Sequence, residues 1–296
     1  MIYQDPLAYL LGLEGIALLD AWAGDHDREF TDARLAEIRG LLDDEKLRDR
    51  GAFAEQVSTV LAYEQQSAGY DAEAGGGLFA TDEPIVAECL SGRVPGVALD
   101  AACGTGRFAK FLAQCGHRVI GIDSSPDMLA YARRRVPDGE FGVGDLDRLP
   151  LPDESVDVIV CALALVHVPR LEPVLAEFVR VLRPGGDLVI SDVHHELVTR
   201  GSVITARGPA GEHWIAATYR HQLGDYLRPA LNLGLQVRRC EEPRAVPLAN
   251  RPPESATEIG DWQDWPWSLM DYLPSAVQAA GGRPSLVIWH FQLPAD

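Results

Sequence analysis

Between residues 97 and 192 short apolar runs alternate with helical stretches of about ten residues, and this alternation constrains the fold more than any other feature. Val97 to Asp100 reads as a strand, 106–115 as a helix and Arg118 to Asp123 as a second strand. Pro126 to Arg135 reads as a helix ended before Pro137, and Val156 to Leu165 as a buried strand. Glu172 to Leu182 reads as a helix stopped by Pro184-Gly185-Gly186, followed by a strand over Leu188 to Asp192. Strands joined by single helices pair in parallel and carry helices on both faces. The chain is therefore expected to be α/β. Two further strands are expected at Leu235 to Glu241 and Ser285 to Leu293. Gly281 to Pro284 leaves no room for a crossover helix, so that pair is expected to be antiparallel.

The first 70 residues have a different character. Residues 6–22 predict a helix opened by Pro6, with Leu7, Leu10, Leu11, Leu18 and Trp22 on its apolar face and Glu14 on that same face. Residues 31–48 predict a second, capped by Thr31 or Asp32, with Leu35, Ile38, Leu41 and Leu42 as its stripe. Residues 52–66 predict a third, and Gly69 with the Gly75-Gly76-Gly77 run ends the pattern. Residues 1–70 are thus expected to form a helical cap or lid, and 71–296 a sheet domain with an irregular insertion over about 246–283. That insertion is rich in proline and carries Trp262, Trp265 and Trp267.

Charge limits the partners. The net charge is −18, and residues 1–70 hold 14 acids against 6 bases. A surface this acidic repels a phosphate backbone and an anionic lipid surface, so neither nucleic acid nor membrane is expected as a partner. The longest unbroken apolar run, Val158 to Val166, is far short of the ~20 residues that span a bilayer. The opening Met-Ile-Tyr-Gln-Asp-Pro has no basic stretch of the kind that starts an export signal. Five cysteines without a Cys-x-x-Cys pair point to reduced thiols and to no metal site. A cytoplasmic protein is the expectation, its oligomeric state open and a homodimer possible.

The chemistry concentrates in Asp100-Ala101-Ala102-Cys103-Gly104-Thr105-Gly106, between the first strand and its helix. Small residues there let backbone approach a ligand closely. Read as Gly104-x-Gly106-x-x-Ala109, the loop suits a pyrophosphate, as in a nicotinamide dinucleotide site. Read from Asp100, it suits S-adenosylmethionine, whose α-amino group calls for a carboxylate. Spacing alone does not separate the two. Asp123 closes the second strand, about 20 residues on, where an acid accepts both ribose hydroxyls; its alternative role is a cap before Ser124-Ser125-Pro126. Asp145 stands where a carboxylate accepts from an adenine amino group, and the Leu146 N–H where it meets a ring nitrogen.

Four ordered motifs, LDAACGTG, VIGIDSSPDML, GDLDRLPLPDESVDVIV and LRPGGDLVISD, resemble those of the class I S-adenosylmethionine-dependent methyltransferases. The resemblance spans roughly residues 68–240 and is nearest the small-molecule group that includes ubiquinone and menaquinone biosynthesis enzymes. It implies a Rossmann-like, mostly parallel seven-stranded sheet with helices on both faces, and S-adenosylmethionine as cofactor. It places Asp100 near the cofactor's amino group and Ala102, Gly104 and Gly106 against its methionine portion, with Ala102 departing from the family's usual glycine. It places Asp123 and Ser124 at the ribose, Met128, Asp145 and Leu146 at the adenine, and the Ala162 backbone at the amine. His167 is implied at the floor of the site, and Tyr70 over the cofactor carboxylate, with a core tyrosine as the alternative.

A sulfonium methyl is already electrophilic, so methyl transfer needs in-line placement and water exclusion, with a general base only for some acceptors. His194 and His221 are candidates for that base or for substrate positioning, each with a loop histidine as the alternative, and Glu14 is a candidate substrate contact. The expected activity is SN2 methyl transfer to an O, N or C nucleophile of a small, partly apolar metabolite. Alternatives are a protein of this fold that binds S-adenosylmethionine without methylating, such as a cyclase or a structural cofactor holder, and a nicotinamide oxidoreductase. Arginine-rich, lysine-poor usage (only Lys46 and Lys110) fits a high-GC genome, where secondary-metabolite tailoring is common.

Overall fold

The computed structural model describes residues 1–64, 77–244 and 255–295. In chain order the elements are β1 (Ile2–Gln4), α1 (Pro6–Ala23), α2 (Arg28–Asp43), β2 (Ala52–Val57), α3 (Thr59–Glu64) and α4 (Gly77–Cys89). Then come β3 (Val97–Ala101), α5 (Arg107–Gln114), β4 (Arg118–Asp123), α6 (Pro126–Arg135), β5 (Glu140–Val143), β6 (Val156–Ala162), α7 (Leu171–Val181) and β7 (Leu182–Val193). The chain continues through α8 (His195–Thr199), β8 (Thr205–Arg207), β9 (His213–Ala216), α9 (Leu223–Asn232) and β10 (Gln236–Glu241). It ends with α10 (Trp267–Tyr272), α11 (Pro274–Ala279) and β11 (Leu286–Gln292). Two compact units result: residues 66–195, 218–246 and 284–296 form the larger, and residues 1–65, 196–217 and 247–283 the smaller.

The larger unit is built on a seven-stranded sheet of order β10-β11-β7-β6-β3-β4-β5. Strands β3 to β7 pair in parallel, and β11 runs antiparallel to both β7 and β10. Side chains alternate along the central strands. Ala98, Val158 and Val160 pack with Phe108 and Leu112 of α5 and Val86 of α4 on one face. Leu99, Ile159 and Cys161 pack with Leu175 and Phe178 of α7 and Tyr226 of α9 on the other. Burial on both faces is why these strands read as continuous apolar runs. Helix α7 ends at Val181, before Pro184-Gly185-Gly186, and those three residues lie within β7, which starts at Leu182.

The order reverses between β3 and β6: β3, β4 and β5 are added outward one way, β6 and β7 the other. Carboxyl ends of neighbouring strands at such a reversal leave a crevice that α/β proteins use for ligands.

The smaller unit differs from a helical cap. Residues 52–57 form strand β2 rather than the start of a helix, pairing antiparallel with β1 and parallel with β9 in a four-stranded sheet β1-β2-β9-β8. Across β2 only Ala54 is fully buried, so the strand satisfies its backbone by pairing while its side chains alternate outward. Helix α2 starts earlier than expected because Asp27, not Thr31 or Asp32, accepts from the Phe30 N–H at 2.9 Å. Leu41 alone of the expected stripe is buried; Leu35 and Leu42 are exposed, as is Trp22 of α1. Residues 255–283 carry order of their own, with Trp262 and Trp265 in the core beside Leu10, Leu41 and Leu269. Helix α1 has a mean hydropathy of 1.3 over 18 residues, enough by length and composition to cross a membrane. In the fold it packs on α2 and α11, and its Glu14 and Asp20 pair with Arg34 and Arg283.

Candidate cofactor site

The loop after β3 leaves the sheet through three residues of positive φ: Ala102 at 56°, Gly104 at 51° and Gly106 at 84°. Glycine adopts this region freely; an L-alanine there is strained by about 1–2 kcal/mol. A Cβ on Gly104 would meet nothing within 4 Å, so the loop's inner face is open. A Cβ on Gly106 would lie 3.1 Å from the Ala132 Cα and Cβ, so that glycine serves the packing of α5 on α6.

Two carboxylates organise this loop. Asp100, buried at the end of β3, accepts from the Ala109 N–H at 2.6 Å and so caps the first turn of α5. Burial pushes its carboxyl up to about 7, against the pull of that bond and of Arg107. Asp123, at the end of β4, accepts from the Gly104 N–H and from the Ser125 N–H, each at 2.8 Å. Burial raises this carboxyl too. A carboxylate offers about four lone-pair positions, so Asp123 keeps acceptor capacity for hydroxyls. Asp100 thus braces the first turn of α5, and Asp123 tethers the loop while keeping acceptor capacity.

The surrounding positions fall beside this pair. Ser125, not Asp123, caps α6 through its Oγ, which accepts from the Met128 N–H at 3.3 Å; Ser124 is exposed and Met128 buried. The Gly144 N–H donates to the Asp123 carbonyl at 3.1 Å, which brings the start of the Asp145–Leu146 turn to the same strand end. Asp145 is exposed, and Leu146 packs on the sheet core. Ala101 pairs with Cys161, so Ala102 and Ala162 leave neighbouring strands side by side. Arg107, the first residue of α5, binds Asp82 of α4 through two bonds of 2.7 Å and lies 4.1 Å from the Phe108 ring centroid. Asp82 is fully buried and also accepts from the Ser191 Oγ at 3.2 Å.

The histidines and Glu14 find other partners. The His194 ring, 2 % exposed, bonds Glu242 at 2.9 Å, and the His194 backbone N–H donates to the Ser285 carbonyl. Both contacts draw it to the β10–β11 side of β7, away from the order reversal. His221 Nε2 donates to the carbonyls of Leu165 (3.1 Å) and Val168 (2.8 Å), which places a proton on that nitrogen and ties the ring to the turn after β6. His167 lies in the turn so held, half-buried. Glu14 is fully buried between α1 and α2, bonded to Arg34 at 3.1 Å, and burial pushes its carboxyl up to about 8. The cavity of about 340 Å³ in that unit is bordered by Glu37, Asp44 and Tyr272, not by Glu14. Tyr70 lies outside the described residues.

Sequence reasoning missed Leu163, which has a φ of 56° immediately after β6, and the buried Asp192, Tyr226 and Asp82. No residue-type pattern flags a left-handed leucine. The polar end of the apolar β7 was the only signal for Asp192.

Sheet order, crevice and loop define the larger unit as a doubly wound α/β domain built for an adenosine-containing ligand. The comparisons agree. Residues 99–190 match a family model described as a methyltransferase domain. The chain is 36% identical over 131 residues to the malonyl-[acyl-carrier protein] O-methyltransferase of Yersinia pestis, a match covering 44% of this chain and 46% of that protein. It is 40% identical over 105 residues to the demethylmenaquinone methyltransferase of Renibacterium salmoninarum, covering 35% and 44%. The chain thus spans less than half the length of these curated relatives. An S-adenosylmethionine-dependent methyltransferase from Mesorhizobium loti superposes with a TM-score of 0.51 at 21% identity, over 71% of this chain and 96% of that one. Residues 99–190 thus match a methyltransferase domain, and the larger unit has the fold of the solved S-adenosylmethionine-dependent methyltransferase.

The residues present fit that cofactor better than a dinucleotide. A dinucleotide places its pyrophosphate on free N–H groups at the helix N-terminus. Here the Ala109 N–H is taken by Asp100 and the Gly104 N–H by Asp123. Those N–H groups are thereby withheld from a pyrophosphate, whereas a ligand with a sulfonium, an amine and ribose hydroxyls has no need of them.

Proposed function

We propose that the chain transfers the methyl group of S-adenosylmethionine to an O, N or C nucleophile of a small, partly apolar metabolite. The observation that carries this reading is the Ala109 N–H in the first turn of α5, which Asp100 takes in place of a bound anion. With the Asp123 carboxylate beside the same loop, this favours a cationic adenosine ligand. The bound cofactor would supply an electrophilic methyl on sulfur. The chain's own residues do the rest by placement: Asp123 accepts ribose hydroxyls, Asp145 and the Leu146 N–H meet the adenine, and Gly104 lets backbone approach closely. The half-buried turn after β6 forms the opposite wall of the crevice. No base is assigned, because His194 and His221 are each engaged by protein partners. The name of the demethylmenaquinone methyltransferase relative supports a small, partly apolar acceptor, and the net charge of −18 disfavours a strongly anionic one.

The test is turnover. The chain is incubated with methyl-labelled S-adenosylmethionine and a panel of phenols, quinones and amines, and S-adenosylhomocysteine release is followed. Acceptor-dependent release is expected. Tight cofactor binding with no release on any member would contradict methyl transfer to acceptors of these classes.

A further inference from the structure

The turn Leu163–Val168, which follows β6, is held by more polar contacts than its length requires. The Leu163 N–H donates to the Ser191 carbonyl at 2.7 Å, and the Tyr219 N–H donates to the Val166 carbonyl at 2.7 Å. His221 Nε2 donates to the carbonyls of Leu165 and Val168. The Asp192 carboxylate, fully buried at the end of β7, accepts from the Val166 N–H and from the Tyr226 hydroxyl, the latter at 2.6 Å. The His221 ring meets the edge of Tyr226 at 5.8 Å between centroids, so the three side chains form one cluster. Within this clamp Leu163 takes a φ of 56°, a left-handed leucine that persists only where its surroundings over-determine it.

Position gives the strain a meaning. Cys161 pairs with Ala101, so Leu163 and Ala102 leave adjacent strands at the order reversal, both left-handed at 56°. Two neighbouring loops turned away in the same sense open the crevice between them. Half-buried Ala162, Leu163 and Ala164 line its β6 side.

The geometry points to Asp192, Tyr226 and His221 as positioning residues. They hold the Leu163–Val168 turn so that its backbone forms the second wall of the S-adenosylmethionine crevice. This inference rests on the cofactor reading above and adds residues that touch no ligand. His221 acts by donating a hydrogen bond, not by taking a proton.

The test uses the full chain and three variants: Tyr226→Phe, His221→Phe and His221→Gln. Binding of S-adenosylhomocysteine is measured by titration calorimetry, and amide exchange of residues 163–168 by mass spectrometry. Tyr226→Phe and His221→Phe are each expected to weaken binding about five- to tenfold, the loss of one to two hydrogen bonds. Exchange should quicken within 163–168. Glutamine still carries an N–H donor, so His221→Gln should bind within about twofold of wild type. Wild-type affinity in both phenylalanine variants, whatever their melting temperatures, would overturn the proposal, as would His221→Gln failing as badly as His221→Phe. If the wild-type chain did not bind S-adenosylhomocysteine, the cofactor reading would fail. The exchange measurement would still decide the clamp, and unchanged exchange in both phenylalanine variants would refute it.

Discussion

Replacing Asp123 separates two roles carried by one carboxylate. Its oxygens accept from the Gly104 and Ser125 N–H groups at 2.8 Å each, in a site that burial makes costly to leave unsatisfied. Asparagine keeps one acceptor oxygen but turns an N–H₂ toward the other donor. One backbone N–H is then left facing a donor, at a cost of about 1–3 kcal/mol. Taking about 2 kcal/mol, and about 2–4 °C per kcal/mol for a large domain, Asp123→Asn should lower the melting temperature by roughly 4–8 °C. Asp123→Ala orphans both donors and should fall further. Ligand binding is lost on top of this: removing the ribose acceptor should weaken S-adenosylhomocysteine by about 1–3 kcal/mol, or roughly 5- to 150-fold. The assay is calorimetric titration well below the variant's melting point, beside a thermal melt of the free protein. Unchanged affinity in Asp123→Ala would refute the ribose assignment. An unchanged melt would refute the tether to Gly104.

Three other substitutions probe separate parts of the account. Ala102→Gly removes a left-handed alanine strained by about 1–2 kcal/mol and adds about 0.5–1 kcal/mol of unfolded-state entropy, so a slight gain in thermal stability is expected; a clear loss would contradict it. Arg107→Ala leaves the fully buried Asp82 without its two-bond partner and should cost about 3 kcal/mol in denaturant titrations, with the midpoint unmoved as the contrary result. Glu14 holds its proton up to about pH 8 in the fold but only to its ordinary value when unfolded, so the native state binds the extra proton between the two. Its contribution to stability therefore falls as pH rises from about 4.5 towards 8, where Glu14→Gln, which stays neutral, should be the more stable chain and show a flatter profile. A wild-type stability that rises over that window on account of this residue would refute the assignment.

The sheet was legible because its strands are buried on both faces and its punctuation is strong. Pro126 and Pro137 mark helix edges that the structure keeps. The β10–β11 pair is antiparallel as expected, but not for the expected reason, since the connection from Glu241 to Leu286 is long and holds α10 and α11. The smaller unit was harder to read. Ala52–Val57 lies beside helix-forming residues, and only its partners β1 and β9, the latter more than 150 residues away, settle it as a strand. At the loop after β3, residue types announced the left-handed turns at Gly104 and Gly106 and the carboxylate tether of Asp123, since these follow from having no side chain or from having a carboxylate. The roles of Asp100, His194 and His221 depended on which backbone groups lay within 3 Å, which spacing along the chain does not encode. Leu163 was invisible for the same reason: its conformation is imposed by Ser191, Asp192 and His221, none of them its neighbour in sequence.

The central claim is that the crevice between β3 and β6 takes a cationic adenosine ligand and not a dinucleotide. Calorimetric titration of the full chain with S-adenosylhomocysteine and, separately, with NADH tests it most directly. The account predicts saturable one-to-one binding of S-adenosylhomocysteine, abolished or strongly weakened in Asp123→Ala, and no heat from NADH. Saturable NADH binding with none for S-adenosylhomocysteine would contradict it.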